Sequence, residues 1–275
     1  MSTRKTYPSD LSDVEWHLLE PLVPAPKSGG RPIAHPRREL LNAIFYVVRQ
    51  GCTWRALPHD LPPWQTVYHY FRLWRNDGTW ERLHTALREQ VRVQAGRPAT
   101  PSAAILDSQS VKTGPKRGLR GYDAGKQVKG RKRHLLVDTE GLVLQAVVHG
   151  ADVQDRDGAR LVMRALGFAQ EHDAPFPFPR LRHLWADGGY AGAFVDWVRE
   201  HFGWTVEIVK RPPDQQGFAV LPRRWVVERT FAWFGHFRRL NKDVEYLVES
   251  SEAMLYIAMS HLMLRRLAKQ PATQT

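Results

Sequence analysis

With one cysteine, Cys52, among its 275 residues, the chain cannot form an internal disulfide. The setting of that cysteine, QGCTWRAL, reads as a packed helix edge in which it serves as a small buried hydrophobe. No stretch approaches the ~20 apolar residues of a membrane span, and the opening MSTRKTYPSD has no apolar core of a signal peptide. A soluble, cytoplasmic protein with no membrane partner is the expectation. Internal repeats and low-complexity tracts are also missing. Acid is scarce: 28 Asp and Glu stand against 40 Lys and Arg, a net charge of +12 and a pI near 10.1. That balance points to a polyanionic partner, nucleic acid above all. A hydrophobic content of 43% with 11% aromatics excludes a disordered chain.

The first ninety or so residues carry helical periodicity. Ser12 to Glu15 form a capping box, with Leu11, Val14, Leu18, Leu19 and Leu22 at helical spacing around and after it, and Pro24, Pro26 and the turn 29–32 end the segment. A second helix follows Pro36, with Leu40, Leu41, Ile44, Val47 and Val48 on one face, and Gly51 closes it. After a short segment from Thr53 to Leu57, Pro62-Pro63 starts an amphipathic helix. Trp64, Val67, Tyr68, Phe71 and Trp74 make its expected buried stripe, and Gln65, His69, Arg72 and Asn76 lie on the other side. Gly78 ends it, and a further helix runs from about Trp80 to Val93. A short helix, a turn and a longer helix with amide and basic side chains outward fit a helix-turn-helix reading DNA with Gln65, His69 and Arg72. The same pattern also fits a plain helical bundle with a solvated face.

A connector from Ala95 to Ser102 leads into alternating strands and helices, an α/β pattern. Strands are expected at Ala104–Leu106, His134–Asp138, Leu142–His149, Leu181–Ala186 and Thr205–Lys210. Helices are expected at about Arg156–Glu171, Ala193–His201, Arg223–Leu240 and Ser251–Ala268. On this reading Asp107 ends a strand, Asp187 follows another in HLWADGGYAG, and Glu228 lies inside a long helix. Three carboxylates so placed can hold a pair of divalent cations, which activate an attacking oxygen and stabilise a leaving one in phosphodiester chemistry. Taken singly, either Asp also reads as a turn or cap residue, and Glu228 as the partner of Arg224 in a helical ion pair. Asp152, Asp155 and Asp157 form a second acidic cluster, read as turn and cap residues. The segment 114–134, GPKRGLRGYDAGKQVKGRKRH, holds eight Lys or Arg and five Gly. It reads as a flexible basic loop laid along a phosphate backbone through Lys126, Lys129, Arg131 and Lys132, with Tyr122 available to stack on a base.

Several of these pieces together resemble bacterial insertion-sequence transposases of the DDE class, in the group of the fourth and fifth insertion-sequence families. They are WRALPHDLPPWQTVYHYFRLW, LDSQSVKTG, GYDAGKQVKGRKRH, DVQDRDGA, WADGGYAG and RRWVVERTFAWFGHFRRLNKDVEY. The resemblance implies a helical DNA-binding domain over residues 1–95 and a ribonuclease-H-like mixed sheet flanked by helices over 103–268. It also implies a DDE triad of Asp107, Asp187 and Glu228 on two Mg²⁺ ions, with Mn²⁺ able to replace them. Arg224 matches the family's arginine four residues before the glutamate. The family's tyrosine and lysine positions hold Leu221 and Gly235 here, which leaves Arg238, Arg239 and Lys242 as candidates to grip the DNA end. The implied activity is binding of terminal inverted repeats, metal-dependent cleavage and joining of the 3′-OH ends to target DNA, by a homodimer on the DNA. A nuclease of the same fold without strand transfer and a repressor derived from a transposase are the alternatives.

Overall fold

The computed structural model describes residues 4–25, 34–115, 118–168, 176–210, 221 and 223–269. The expected turn at 29–32 lies outside them. Contacts divide the chain into two units: residues 1–97 with 236–241 and 253–275, and residues 98–235 with 242–252. The C-terminal helix, expected within the second domain, therefore packs from Ala253 onward with the N-terminal helices.

In the first unit, helix α1 (Asp13–Leu19) starts at the expected capping box, with Ser12 Oγ accepting from the Glu15 N–H and Glu15 Oε2 from the Ser12 N–H. Helix α2 (Arg37–Gln50) fully buries Leu40, Leu41, Ile44, Val47 and Val48 and ends at Gly51, whose φ is 74°. A Cβ at Gly51 would lie 2.9 Å from Arg238 Cβ, so glycine is needed for the close approach as well as the turn. Helix α3 (Trp64–Asn76) buries Val67, Phe71 and Trp74, but Tyr68 is exposed, so the apolar stripe is narrower than expected. Gly78 begins α4 (Thr79–Gln94), and Trp80 donates from its indole to the Phe71 carbonyl.

The second unit is a six-stranded mixed sheet. Its strands are β1 (Ala103–Lys112), β2 (Gly121–Asp123), β3 (Val128–Asp138), β4 (Val143–Gly150), β5 (His183–Ala186) and β6 (Thr205–Ile208). Strand β3 pairs antiparallel with β1, β2 and β4, while β5 runs parallel to β1 and β6 parallel to β5. An antiparallel three-strand meander followed by parallel strands on the other side of the first is the ribonuclease-H-like arrangement. Helices α5 (Asp155–Met163) and α6 (Ala193–Phe202) close a core of Leu106, Leu136, Val162, Leu184, Tyr190 and Phe194. Helix α7 (Arg224–Gly235) belongs to this unit, and α8 (Val248–Leu267) begins in it. No helix among the described residues is long and apolar enough to cross a membrane.

Three expectations are corrected. Strand β1 does not stop at Leu106: Asp107 is paired with Leu135 in mid-strand, and Ser108, Gln109 and Ser110 continue opposite His134, Arg133 and Lys132. Small polar side chains do not end a strand whose backbone still finds a partner. The supposed flexible loop is largely the β2–β3 hairpin. Gly130 in it passes so close to β1 that a Cβ would overlap the Val111 carbonyl. The long helix expected to reach Leu240 ends at Gly235, and a separate 3₁₀ turn holds Arg238–Leu240.

The hairpin's charges show why it is ordered. Arg131 is buried against Asp243 at 3.0 Å and also donates to Ser251 and to the carbonyls of Leu119 and Tyr246. Lys132 is buried between Asp155 at 3.0 Å and Asp123 at 3.5 Å. Both were expected to contact phosphates, and both instead close internal ion pairs. Replacing Arg131 with Met leaves Asp243 buried without its cation and should cost about 3–5 kcal/mol in urea unfolding. The exposed Lys129→Ala should cost under about 0.5 kcal/mol. Equal costs for the two would refute the assignment of Arg131 to the interior.

Candidate active site

Helix α7 presents two faces with different tasks. On one, Arg229 lies between the rings of Trp225, 4.3 Å to the centroid, and Trp233, 4.8 Å, and donates to the Glu140 carbonyl. Thr230 donates to the Gly141 carbonyl at 2.7 Å. Gly141, at φ 80°, leaves little room for a Cβ, since Thr230 Oγ1 and Trp233 would lie 2.9 and 3.0 Å from it. This contact with the β3–β4 turn sets the rotation of the helix. The other face carries Arg224 and Glu228, one turn apart.

Arg224 Nη2 stands 3.8 Å from Asp107 Oδ2, 3.6 Å from Asp187 Oδ2 and 3.6 Å from Glu228 Oε1. Three carboxylates from β1, the end of β5 and α7 thus converge on one cationic atom. Asp107 is the most enclosed, with its side chain 13% exposed, and Glu228 the least, at 49%. Asp187 caps the 3₁₀ turn Gly188–Tyr190 by accepting from the Gly189 N–H at 2.8 Å. Asp107 accepts from the Ser108 N–H at 2.7 Å. Burial raises its pKa from 3.8 to about 6, with Asp187's charge adding to the rise and Arg224 opposing it.

The donor set is all carboxylate oxygen, the hard chemistry that suits Mg²⁺ or Mn²⁺. A guanidinium already stands where a cation would meet all three groups. Among the described residues no three acidic, His or Cys side chains stand close enough to ligate one ion as they are. The contacts to Arg224 exceed hydrogen-bond length, so they act through charge and not through hydrogen bonds.

The remaining candidates are dispersed. Gln65, His69 and Arg72 lie exposed along α3 of the first unit. Tyr122, Lys126 and Lys129 are exposed on the hairpin, and Lys126 Nζ reaches the Ser108 carbonyl at 3.2 Å. Arg238 and Lys242 are exposed. Arg239, expected beside Glu228 on a continuous helix, is instead buried and donates to the Cys52 carbonyl. The helix break after Gly235 takes it off that face.

Two residues near the triad have another place than the sequence reading gave them. Asp155, read as a cap, leaves the N-cap position of α5 to Gln154 and accepts from Ser108 Oγ at 2.9 Å. Ser108 read as loop. An acidic residue at a helix start is so common a capping signal that only the pairing of β1 with its neighbours reveals the connection.

Comparison with known proteins agrees with this architecture. Residues 98–263 match the family described as "Transposase DDE domain", and residues 11–84 match one described as "Putative transposase of IS4/5 family". An uncharacterized 16.2 kDa protein of insertion element IS402 from Burkholderia cepacia is 34% identical over 110 residues, covering 37% of this chain and 72% of that protein. A second protein from the same organism, "Putative transposase for insertion sequence element IS402", is 33% identical over 141 residues, 51% of this chain. The chain spans 65% of that relative's length. Among solved structures, a chain of the Mos1 strand transfer complex aligns over 89% of this chain and 79% of its own at 15% identity. Its TM-score of 0.29 is too low to bear on the chemistry. With the DDE domain match extending from residue 98 to 263, more than half of its length, the chain belongs to the insertion-sequence DDE transposases.

Proposed function

We propose that the protein binds the terminal inverted repeats of an insertion sequence in double-stranded DNA, cleaves there by metal-dependent phosphodiester hydrolysis and joins the 3′-OH ends to target DNA. The observation that carries this reading is the convergence of Asp107, Asp187 and Glu228 on Arg224 Nη2. These three carboxylates would hold two Mg²⁺ ions. When bound, such ions activate the attacking oxygen and stabilise the leaving one.

The chain's own residues do the rest. Seal and aim come from burial: Asp107 sits deep in β1, so its carboxylate is held where solvent competes least. Arg224 offsets part of the repulsion among the three acids in the metal-free protein. Once those acids are taken up elsewhere, its planar guanidinium is free to grip a phosphate in two-point fashion. Lys126, Lys129, Arg238 and Lys242 add exposed positive charge for the DNA backbone, and Tyr122 offers a ring for stacking. On α3, Gln65, His69 and Arg72 have the amide and basic groups that read base edges in a major groove. Joining two ends needs two such sites, hence a homodimer on DNA.

Asp107→Asn, Asp187→Asn and Glu228→Gln should each abolish nicking of a labelled inverted-repeat duplex and its joining to a plasmid, while leaving end binding nearly intact. Mn²⁺ should replace Mg²⁺. Full activity in any one of the three would sink the triad, and nicking without joining in the parent would favour a nuclease without strand transfer.

Substituting Gln65, His69 and Arg72 together with Ala should remove discrimination between element ends and random DNA and spare salt-sensitive nonspecific binding. An unchanged footprint on the inverted repeat would take α3 out of the recognition role.

The raised pKa of Asp107 has a consequence for stability. Between about pH 4 and 6 the folded, metal-free chain holds a proton on Asp107 that the unfolded chain has lost. The stability this brings is complete below about pH 4 and disappears as pH rises through about 6. Asp107→Asn, neutral throughout, should therefore be more stable than the parent in EDTA at pH 7.5, on the order of 1–3 kcal/mol, and the difference should vanish toward pH 4. Thermal melts of the two proteins across that range measure it, and a destabilised Asn variant at pH 7.5 would contradict it.

A further inference from the structure

Asp155 differs from the other acids of its stretch. Asp152 is exposed, and Asp157 is exposed and lies 3.5 Å from Arg160 on its own helix. Asp155 points into the sheet, where its Oδ1 accepts from Ser108 Oγ at 2.9 Å and from Lys132 Nζ at 3.0 Å. Lys132 also donates to the Val153 carbonyl, and its second carboxylate, Asp123, accepts from Ser110 Oγ. Two alternate residues of β1, Ser108 and Ser110, are thus tied through one buried lysine to the hairpin and to the start of α5.

The helix is set down there by Gly158. A Cβ on Gly158 would lie 2.3 Å from His134 Cε1 and 2.7 Å from His149 Nε2, so only glycine lets α5 approach that closely. His149 Nδ1 must donate to the Gly150 carbonyl, which can only accept. With both rings neutral, His134 Nδ1–H then donates to His149 Nε2 at 2.8 Å. That leaves His134 Nε2, fully buried and without a hydrogen-bond partner, 3.8 Å from Asp155 Oδ1. On its other side Asp155 faces the active site: a methyl placed on Gly189 would lie 3.6 Å from Asp155 Oδ2 and 3.0 Å from Asp187 Oδ1.

Ser108 is the joint between the two acids. Its backbone N–H donates to Asp107 Oδ1 at 2.7 Å, and its hydroxyl donates to Asp155. Its carbonyl accepts from Lys126 Nζ, so all three of its polar groups are engaged. We propose that Asp155 is a positioning residue of the active site, fixing through the Ser108 hydroxyl the backbone N–H that orients the Asp107 carboxylate. This rests on Asp107 being a metal-holding member of the triad. Groups behind a metal ligand set its direction, and their removal weakens metal binding or activity by about 10–100-fold.

The test uses the full-length protein and Mn²⁺ as the probe, with free Mn²⁺ followed by electron paramagnetic resonance and nicking of the inverted-repeat duplex followed in parallel. Ser108→Ala and Asp155→Ala should each weaken Mn²⁺ binding and slow nicking by about 10-fold or more. The double variant should be no worse than the stronger single one, because both break the same connection. Asp157→Ala should bind Mn²⁺ like the parent. A residue that merely supported the fold would lower the melting temperature and leave the Mn²⁺ affinity of the folded protein unchanged. Ser108→Ala removes one oxygen and decides the matter if Asp155→Ala does not fold. Mn²⁺ affinity within twofold of the parent in Ser108→Ala, or single effects that add in the double variant, would overturn the proposal. Asp107→Asn measured alongside separates the two levels: parent-like Mn²⁺ binding in that variant would remove the triad reading itself. Its loss, with Ser108→Ala unaffected, would remove only the role of Asp155.

Discussion

Mutual repulsion among Asp107, Asp187 and Glu228 is the constraint around which the second unit is arranged. Two unit charges about 6 Å apart at an effective dielectric constant near 20 repel by roughly 3 kcal/mol, and three such acids share one small, partly buried space. Arg224 offsets that repulsion from within the same helix as Glu228. Its Nη2 is nearly equidistant from the three carboxylates, at 3.6 to 3.8 Å. The arrangement requires α7 to be held at one rotation about its axis. The Trp225, Arg229 and Trp233 stack and the Thr230 contact with Gly141 supply that on the opposite face.

Positive charge in this chain has two uses that its net value of +12 does not distinguish. Arg131 and Lys132 are inside, each saturated by acids and carbonyls, and they lock the β2–β3 hairpin against β1, α5 and the segment that precedes α8. Lys126 and Lys129, on the same hairpin, are outside. Adjacent residues on a strand point to opposite faces, but here burial covers both faces from residue 130 to 138, so the division falls along the strand rather than across it. A buried arginine with five donors needs several acceptors, and Asp243, Ser251, Leu119 and Tyr246 provide them.

In the first unit, the same principle of completion from afar applies. Its helices α2 to α4 bury a continuous apolar set, yet the ring of Phe45 stacks on His261, and Cys52 receives Arg239 through its carbonyl. The C-terminal part of α8 and the short 3₁₀ turn are therefore part of the helical core, although roughly 140 residues of sheet and helix intervene between α4 and that turn.

Local signals in the sequence determined much of this protein. The capping box at Ser12, the closing Gly51, the Pro62-Pro63 start of α3 and the β3–β4 turn all lie where residue chemistry alone places them, because each is settled within a few residues of chain. The family resemblance, carried by motifs along nearly the whole chain, was legible for the same reason. Only the tertiary structure decided the rest. A run of Ser-Gln-Ser after Asp107 looks like loop until a partner strand is known, and a Gly-rich basic stretch looks mobile until Asp243 and Asp155 arrive from far along the chain. The helix containing Glu228 looks unbroken to Leu240 because its apolar residues continue. The break after Gly235 follows from where that segment packs, with Phe237, Arg239 and Leu240 buried in the first unit. Hydrogen bonding and burial between distant segments override local preference wherever local preference is weak, and those were the places where periodicity and composition could not reach.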